Sequence, residues 1–359
     1  MLEDFNFEII VRDVLTWYKE NKRDLPWRKN REAYSIWVSE IMLQQTRVEA
    51  VIVYYQRFMK ELPTVNDLAL CEEDKLLKLW EGLGYYNRVR NMQAAARDVM
   101  ELYDGKVPDN KEDILALKGI GSYTARAILS QAYNQPFAAV DGNVFRVVTR
   151  LSMDDTDIKK ESFKKQVEKV LDGIMPKEAG EFNQAMMELG ATVCVPNGEP
   201  HCDKCPVKEV CLARKNHRIM EFPVKSKAKP RKVEDKTVFI IRNEDKILLS
   251  KRPGTGLLAG LYEFPNVKGF LNKKECILAV ENMGLEPIRV KKLPQAKHIF
   301  SHVEWHMKGY EILLDETAGL KGDYLFVDCK DMEVVYSIPA AFEAYKKELN
   351  IISYTTKKS

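Results

Sequence analysis

Up to about residue 220, apolar side chains recur every three or four positions and strand-like alternation is absent, so the hydrophobic pattern predicts an all-α region. Residues 5–20 read as an amphipathic helix with Phe5, Ile9, Val14, Trp17 and Tyr18 near one stripe, broken by Asp24-Leu25-Pro26-Trp27-Arg28. Residues 34–62 read as one or two helices, rich in Trp37, Ile41, Leu43, Val48, Ile52, Tyr55 and Phe58; Pro63 and Thr64 end that segment and cap the next. Helical patterning continues over 73–103, interrupted at Gly82-Leu83-Gly84, then over Glu112–Lys118, Tyr123–Tyr133, 161–171 and 179–193. From 213 to 236 lysine and proline displace large apolar residues, and 215–236 reads as a linker. Beyond it, Thr237–Ile241, Ile247–Ser250 and Val303–Leu314 have a strand-like pattern, and Lys274–Met283 reads as a helix. The expected organisation is therefore an all-α region over 1–214, the linker, and an α+β domain over 237–359, with no internal repeat.

Composition narrows this picture without redirecting it. The chain has 359 residues, enough for two domains of ordinary size, with 45% hydrophobic and 30% charged residues. The formal net charge is only +3, so any affinity for nucleic acid has to rest on local patches such as Arg88-Val89-Arg90 and Lys225–Lys232. No apolar run reaches 18 residues, so no membrane span is expected, and the acidic N-terminus lacks the pattern of a signal peptide.

Seven cysteines, an odd number, argue against a disulfide framework, and Cys194, Cys202, Cys205 and Cys211 crowd together with gaps of seven, two and five residues. Four soft thiolates in one short loop suit an iron–sulfur cluster or a structural zinc. Cys71, Cys276 and Cys329 are isolated and read as core residues. Between two helical runs lies Gly119-Ile120-Gly121, where glycines permit close backbone approach and N–H groups ahead of a helix can cradle a phosphate. The same letters fit a plain αα-turn, with the downstream Asp141 as a helix cap.

In combination these motifs point further. The Gly-Ile-Gly turn, Asp141 and the four-cysteine loop resemble the helix-hairpin-helix DNA glycosylases. Leu25-Pro26-Trp27-Arg28, Val38-Ser39-Glu40-Ile41-Met42-Leu43-Gln44-Gln45-Thr46, Glu81-Gly82-Leu83-Gly84-Tyr85-Tyr86 and Asp141-Gly142-Asn143-Val144 narrow the resemblance to the adenine DNA glycosylase (MutY) family, over nearly the whole chain. The resemblance implies removal of adenine mispaired with 8-oxoguanine or guanine in double-stranded DNA, by a monomer in the cytoplasm, associated with the nucleoid. It implies a catalytic set of Glu40, Asp141, Tyr123 and Asn143. Glu40 lies among apolar neighbours, where burial raises a carboxyl pKa and suits a general acid, while Asp141 faces the sugar cation. Tyr123 stands where the lyase branch of the superfamily carries an amine nucleophile, so base removal without strand cleavage is expected.

By the same resemblance Arg23, Leu25, Trp27, Arg28 and Gln184 form the adenine pocket, and Gly119 and Gly121 hold DNA phosphate. Gln45, Thr46, Tyr85, Phe300, Ser301 and His302 recognise the opposite base. The four cysteines hold a 4Fe–4S cluster, with zinc as the alternative, although the first gap is one residue longer than is usual in the family. The C-terminal half resembles the Nudix-like domain of these enzymes. Only Glu281 stands among the positions a magnesium-dependent Nudix site would need, which favours binding over hydrolysis. Two rival readings stay open: an endonuclease III-like glycosylase/lyase, and a non-catalytic protein that binds damaged DNA.

Overall fold

The computed structural model describes residues 2–355 apart from Ala228, Lys229, Glu316 and Ala318, with backbone only over 350–355. Helices dominate the first part of the chain: α1 (Val11–Asn21), α2 (Ala33–Leu43), α3 (Val48–Glu61), α4 (Val65–Leu70), α5 (Glu73–Leu79), α6 (Asn87–Leu102), α7 (Lys111–Ala116), α8 (Ser122–Tyr133), α9 (Gly142–Ser152), α10 (Glu161–Asp172), α11 (Ala179–Thr192) and α12 (Leu212–Lys215). The break at 24–28 contains a single 3-10 turn, Pro26–Arg28, with proline at its first position.

The chain divides into two compact units, and they interleave: Met1–Leu70 with Arg90–Ala228, and Cys71–Val89 with Lys229–Ser359. The sequence pattern had placed 71–89 with the helical region. Polar contacts account for the difference. Asp74 accepts from Lys251 Nζ at 3.0 Å and from Tyr262 OH at 3.3 Å, Lys78 Nζ donates to the Tyr336 carbonyl at 3.1 Å, and Glu81 Oε1 accepts from Ile338 N at 3.1 Å.

In the first unit, α1 turns Val14 and Tyr18 inward, and the 3-10 turn ahead of it adds Phe7 and Ile10. These pack with Val144, Val148 and Leu151 of α9, Phe163, Val167 and Leu171 of α10, and Phe182, Met186 and Leu189 of α11. Each such side chain contributes about 1.5–3 kcal/mol on burial. Helix α2 differs from these amphipathic helices. Every residue from Tyr34 to Met42 is buried, so it is an interior helix, and the one carboxylate it carries, Glu40, is buried with it.

The second unit is built on a mixed seven-stranded sheet, its strands being β1 (Lys232–Asn243), β2 (Lys246–Lys251), β3 (Tyr262–Glu263), β4 (Asn266–Lys268), β5 (Pro287–Ile299), β6 (Val303–Leu314) and β7 (Tyr324–Asp328). The order is β3-β2-β1-β6-β5, with β4 also on β1 and β7 also on β2. β1 and β6 run parallel in register from Lys232↔Val303 to Arg242↔Leu313, and the other pairs are antiparallel. β1 therefore starts at Lys232, inside the stretch the sequence assigned to the linker. Alternate residues face opposite sides. Val238, Ile240, Ile247, Leu249, Trp305 and Met307 pack under Met332 of α14 (Cys329–Val334), Phe342 of the 3-10 turn Ala340–Phe342, and Tyr345 of α15 (Glu343–Thr355). Phe239, Ile241, Leu248, Ile312 and Leu314 pack under Cys276 and Val280 of α13 (Lys273–Asn282). Gly309 makes room for the packing of α15, since a Cβ there would lie 2.3 Å from the Tyr345 ring.

Candidate active site

Glu40 is 6% exposed in the middle of α2, and both its oxygens accept hydrogen bonds from α8. Tyr123 OH donates to Oε2 at 2.9 Å and Gln131 Nε2 donates to Oε1 at 2.9 Å. Burial pushes the Glu40 pKa up, and the nearby charge of Asp141 pushes it further; the two hydrogen bonds and Arg28 pull it part of the way back. Burial beside Glu40 likewise holds the Tyr123 phenol well above its ordinary pKa, so it stays a neutral donor.

Asp141 is the N-cap of α9. Its Oδ1 accepts the Asn143 and Val144 N–H groups at 2.9 and 2.8 Å, and its Oδ2 accepts the Asn143 side-chain amide at 2.8 Å. The plain reading of Asp141 as a backbone cap is thus true of one oxygen, while the other is held by the Asn143 side chain. Burial raises its pKa, and the cap N–H groups, the Asn143 amide and Arg146 lower it. The approach to Asp141 is fixed from two helices. Ala138 N donates to Asp172 Oδ1 at 2.7 Å, and Ala139 N donates to Asn183 Oδ1 at 2.9 Å. Close packing fixes the far side, because a Cβ on Gly190 would lie 2.6 Å from Asn143 Cβ.

A cavity of ≈ 330 Å³ is lined among others by Tyr18, Arg23, Arg28, Gln131, Glu181 and Gln184; Glu40 is not in its lining and meets it through Gln131. Of the five residues expected to form the adenine pocket, Arg23, Arg28 and Gln184 line it. Leu25 and Trp27 are not in its lining: they are 4% and 5% exposed, and Trp27 packs edge-on against Tyr55. Their apolar surface is taken up by the core. Glu188, absent from the expected set, organises the cavity wall. Its side chain is fully buried and pairs with Arg23 Nε at 2.6 Å and Arg28 Nη2 at 2.8 Å. Burial alone would raise the Glu188 pKa, but the two guanidiniums bring it below its ordinary value. The other unanticipated members are Gln131, Tyr18 and Arg146. Arg146 donates to Asn143 Oδ1 at 2.8 Å and to the Cys194 carbonyl at 2.6 Å, and so joins the Asp141 end of α9 to the cysteine loop. Nothing in a single sequence marks these residues, because they are ordinary polar residues spaced far from the motifs they serve.

The hairpin of α7 and α8 turns at Gly119, whose φ is +82° and whose added Cβ would meet Asn91 Cβ at 2.7 Å. Gly121 is the N-cap of α8, with no side-chain cap and nothing within 4 Å of an added Cβ. The first N–H groups of α8 therefore lie behind an open, side-chain-free approach. In the α2–α3 turn Gln45 is exposed at φ 61°, and Thr46 Oγ1 donates to the Gln44 carbonyl at 3.4 Å.

In the second unit Tyr85 has φ 48° and is 47% exposed, and its hydroxyl shares a hydrogen bond of 2.6 Å with Ser301 Oγ. Arg88 holds the turn before Tyr85 by donating to the Leu83 and Gly84 carbonyls at 3.0 and 3.1 Å. Phe300 is wedged between the His298 and Trp305 rings, leaving Ser301 and His302 exposed at the tip. Of the basic run 225–232, Ala228 and Lys229 lie outside the described residues. On α13, Glu275 is engaged in a capping box with Asn272, and Glu281 is exposed.

Cys194, Cys202, Cys205 and Cys211 line one small cavity of ≈ 30 Å³. Arg150 Nη1 donates to Cys194 Sγ at 3.3 Å, and the seven-residue gap turns at Gly198, φ 73°. Burial pushes the Cys205 thiol up to about 12. Among the described residues no three ligating side chains converge as tightly as a single ion requires. Four thiols around one cavity are a donor set suited to an iron–sulfur cluster or a zinc ion.

Comparison with known proteins gives the family. A family model for HhH-GPD superfamily base excision DNA repair proteins matches residues 38–172, and a NUDIX domain model matches 237–348. The adenine DNA glycosylase of Rattus norvegicus is 35% identical over 85% of this chain and 70% of its own length. That of Buchnera aphidicola (subsp. Acyrthosiphon pisum) is 35% identical over 82% of this chain and 83% of its own length. Among solved structures, a trapped endonuclease III–DNA covalent intermediate superposes with a TM-score of 0.50 at 25% identity, covering 59% of this chain and 99% of the other. With a helix-hairpin-helix repair domain, a Nudix domain and relatives of this closeness along most of its length, the chain belongs to the adenine DNA glycosylase family.

Proposed function

We propose that the chain hydrolyses the N-glycosidic bond of adenine paired with 8-oxoguanine, or with guanine, in duplex DNA, and releases the base without cutting the strand. The observation that carries this reading is a buried carboxyl, Glu40, gripped on both oxygens, joined to a cavity through Gln131 and within electrostatic reach of Asp141. Burial and the charge of Asp141 both raise the Glu40 pKa, and neighbouring carboxyls do not both ionise readily. Asp141 has three donors and Arg146 favouring its charged form, so the proton resides on Glu40. Glu40 then protonates the leaving base as the C–N bond breaks, Asp141 Oδ2 stabilises the cationic sugar, and water supplies the oxygen that replaces the base. The cavity receives the extruded base, with Gln184 at its edge and the Arg23–Glu188–Arg28 cluster as its wall. Tyr123 offers a hydroxyl where a lyase needs an amine, which supports base release without a Schiff base.

Opposite-base reading is assigned to Tyr85, Ser301 and His302, with the half-buried Phe300 as the anchor of the loop and Gln45 and Thr46 from the α2–α3 turn. Cys194, Cys202, Cys205 and Cys211 would hold a 4Fe–4S cluster, and zinc is the alternative. When bound, the cluster supplies a thiolate-held structural anchor for the loop after α11. The protein acts as a monomer on cytoplasmic DNA.

The test is single-turnover base release from duplexes carrying A:8-oxoguanine, A:G and A:T pairs, with borohydride trapping in parallel. Release from the two mispairs without a trapped complex is expected. Intact protein that frees no adenine from A:8-oxoguanine ends the proposal, and efficient trapping transfers it to the lyase class. Iron and zinc analysis with a visible absorption spectrum decides the metal.

A further inference from the structure

The cavity and Glu40 are joined by a chain of side-chain hydrogen bonds in which each group passes a donor to the next. Tyr18 OH donates to Gln184 Oε1, Gln184 Nε2 donates to Gln131 Oε1 at 3.0 Å, and Gln131 Nε2 donates to Glu40 Oε1 at 2.9 Å. The two amides are not independent. Turning one over alone would set N–H against N–H or oxygen against oxygen. The direction is set at the far end, where Lys22 and Arg28 lie over the Tyr18 ring at 5.5 and 5.6 Å and favour a phenol that donates. The relay thus presents an N–H to Glu40 Oε1. Across the carboxyl, Tyr123 OH donates to Oε2 and has a second acceptor in reach, Met187 Sδ, at 3.8 Å.

We propose that the Tyr18–Gln184–Gln131 relay is a positioning device that confines the acidic proton of Glu40 to Oε2, and that Met187 takes the Tyr123 hydroxyl when Oε2 carries that proton. The proposal rests on the reading of Glu40 as the general acid. An oxygen already accepting a fixed N–H is the carbonyl-like oxygen of a carboxylic acid. The hydroxyl on the other side can rotate, whereas the locked amide cannot. When the C–N bond breaks, its electron pair leaves with the base, the base takes the proton from Oε2, and Glu40 is left as a carboxylate. The Tyr123 hydroxyl then turns from the weak sulfur acceptor to Oε2. This adds a hydrogen bond that strengthens as the proton leaves, the kind of interaction that lowers a barrier rather than deepening the ground state. The titratable or charged groups facing Glu40 are Tyr123, Asp141 and Arg28, and all three stay unchanged in the variants that follow.

The test is the pH dependence of single-turnover adenine release by the full chain, comparing Tyr18→Phe, Gln131→Leu and Met187→Leu with wild type. Tyr18→Phe frees the relay to offer a carbonyl to a protonated Oε1, and Gln131→Leu removes the donor. Both favour the acid form and move the alkaline limb up by about half a pH unit to one unit. Met187→Leu leaves the Tyr123 hydroxyl without its alternate partner and moves the limb down by about half a unit. A merely structural role would lower the plateau and leave the limb in place. Limbs that stay put, or that move the same way in Tyr18→Phe and Met187→Leu, overturn the proposal; Gln131→Leu takes the place of Tyr18→Phe if that variant does not fold. Glu40→Gln separates this from the underlying reading. Wild-type release by Glu40→Gln removes the general acid altogether, whereas an inactive Glu40→Gln with unmoved limbs removes only the relay.

Discussion

Glu40 works against the fold that contains it. Its folded-state pKa is raised, chiefly by burial, so the native state binds the proton more tightly than the unfolded chain. Its effect on stability is therefore most favourable below the unfolded value of about 4.3, and deteriorates as pH rises from there through the folded pKa. Glu40→Gln reproduces the shape of the protonated acid, and its amide can donate to Tyr123. Thermal melts of the two proteins should diverge as pH rises above about 4.3, the variant gaining relative to wild type, while adenine release falls by about 10²–10⁴-fold. Parallel melting curves across that range would show that Glu40 is not held against its charge. Glu188 has the opposite linkage. Arg23 and Arg28 outweigh its burial and hold its pKa below the ordinary value. Its contribution is present above about pH 4.3 and is lost as pH falls through the lower folded value. Glu188→Ala leaves two guanidiniums facing each other and should lower stability at pH 7 by about 3 kcal/mol in denaturant titration. At this scale the sequence was legible where a charged residue interrupts an apolar run, as Glu40 does between Val38 and Ile41. It was silent on Glu188 and Gln131, whose roles depend on partners on other helices.

Elements carry two further consequences. Asp141 caps the α9 backbone with one carboxylate oxygen and has the other held by the Asn143 side chain, so two substitutions separate its duties. Asp141→Asn keeps a capping oxygen and should unfold near the wild-type midpoint, whereas Asp141→Ala should lose about 1 kcal/mol. Both should lower base release by at least about 100-fold, because both remove the negative charge. If Asp141→Asn keeps wild-type turnover, the residue is a cap and nothing more. The two glycines of the hairpin differ in the same way. Gly119→Ala forces a side chain into a left-handed residue against Asn91 and should cost about 1–2 kcal/mol. Gly121→Ala meets open space at an ordinary φ, so its melting temperature should hold while affinity for duplex DNA drops. Equal effects of the two on stability would contradict this division. The helices were readable because a 3.6-residue stripe persists over ten or more positions. Much of the sheet was not. β3 and β4 are two and three residues long, and β5 is an edge strand with Pro294, lysines at 291, 292 and 297, and register shifts. Such edges avoid the apolar alternation by which a strand is recognised.

At the scale of the whole molecule, the hydrophobic pattern located the change from helices to sheet but not the passage of 71–89 into the second unit. Contacts such as Lys78 with the Tyr336 carbonyl join residues more than 250 positions apart, and periodicity has no means of encoding them. A protein covering 229–359 alone should melt below the same stretch within the intact chain, and a peptide spanning 71–89 should raise its midpoint. A melting temperature indifferent to the peptide would show that the segment contributes nothing to that unit's stability. The interleaving also changes how inherited defects in this chain map onto its parts. A substitution at Glu81, deep in the nominally helical half, deprives Ile338 N of its acceptor and Lys346 of its counter-charge. Its second-site suppressors are expected to cluster between 336 and 346, so a genetic map drawn along the sequence would break where the folded units do not.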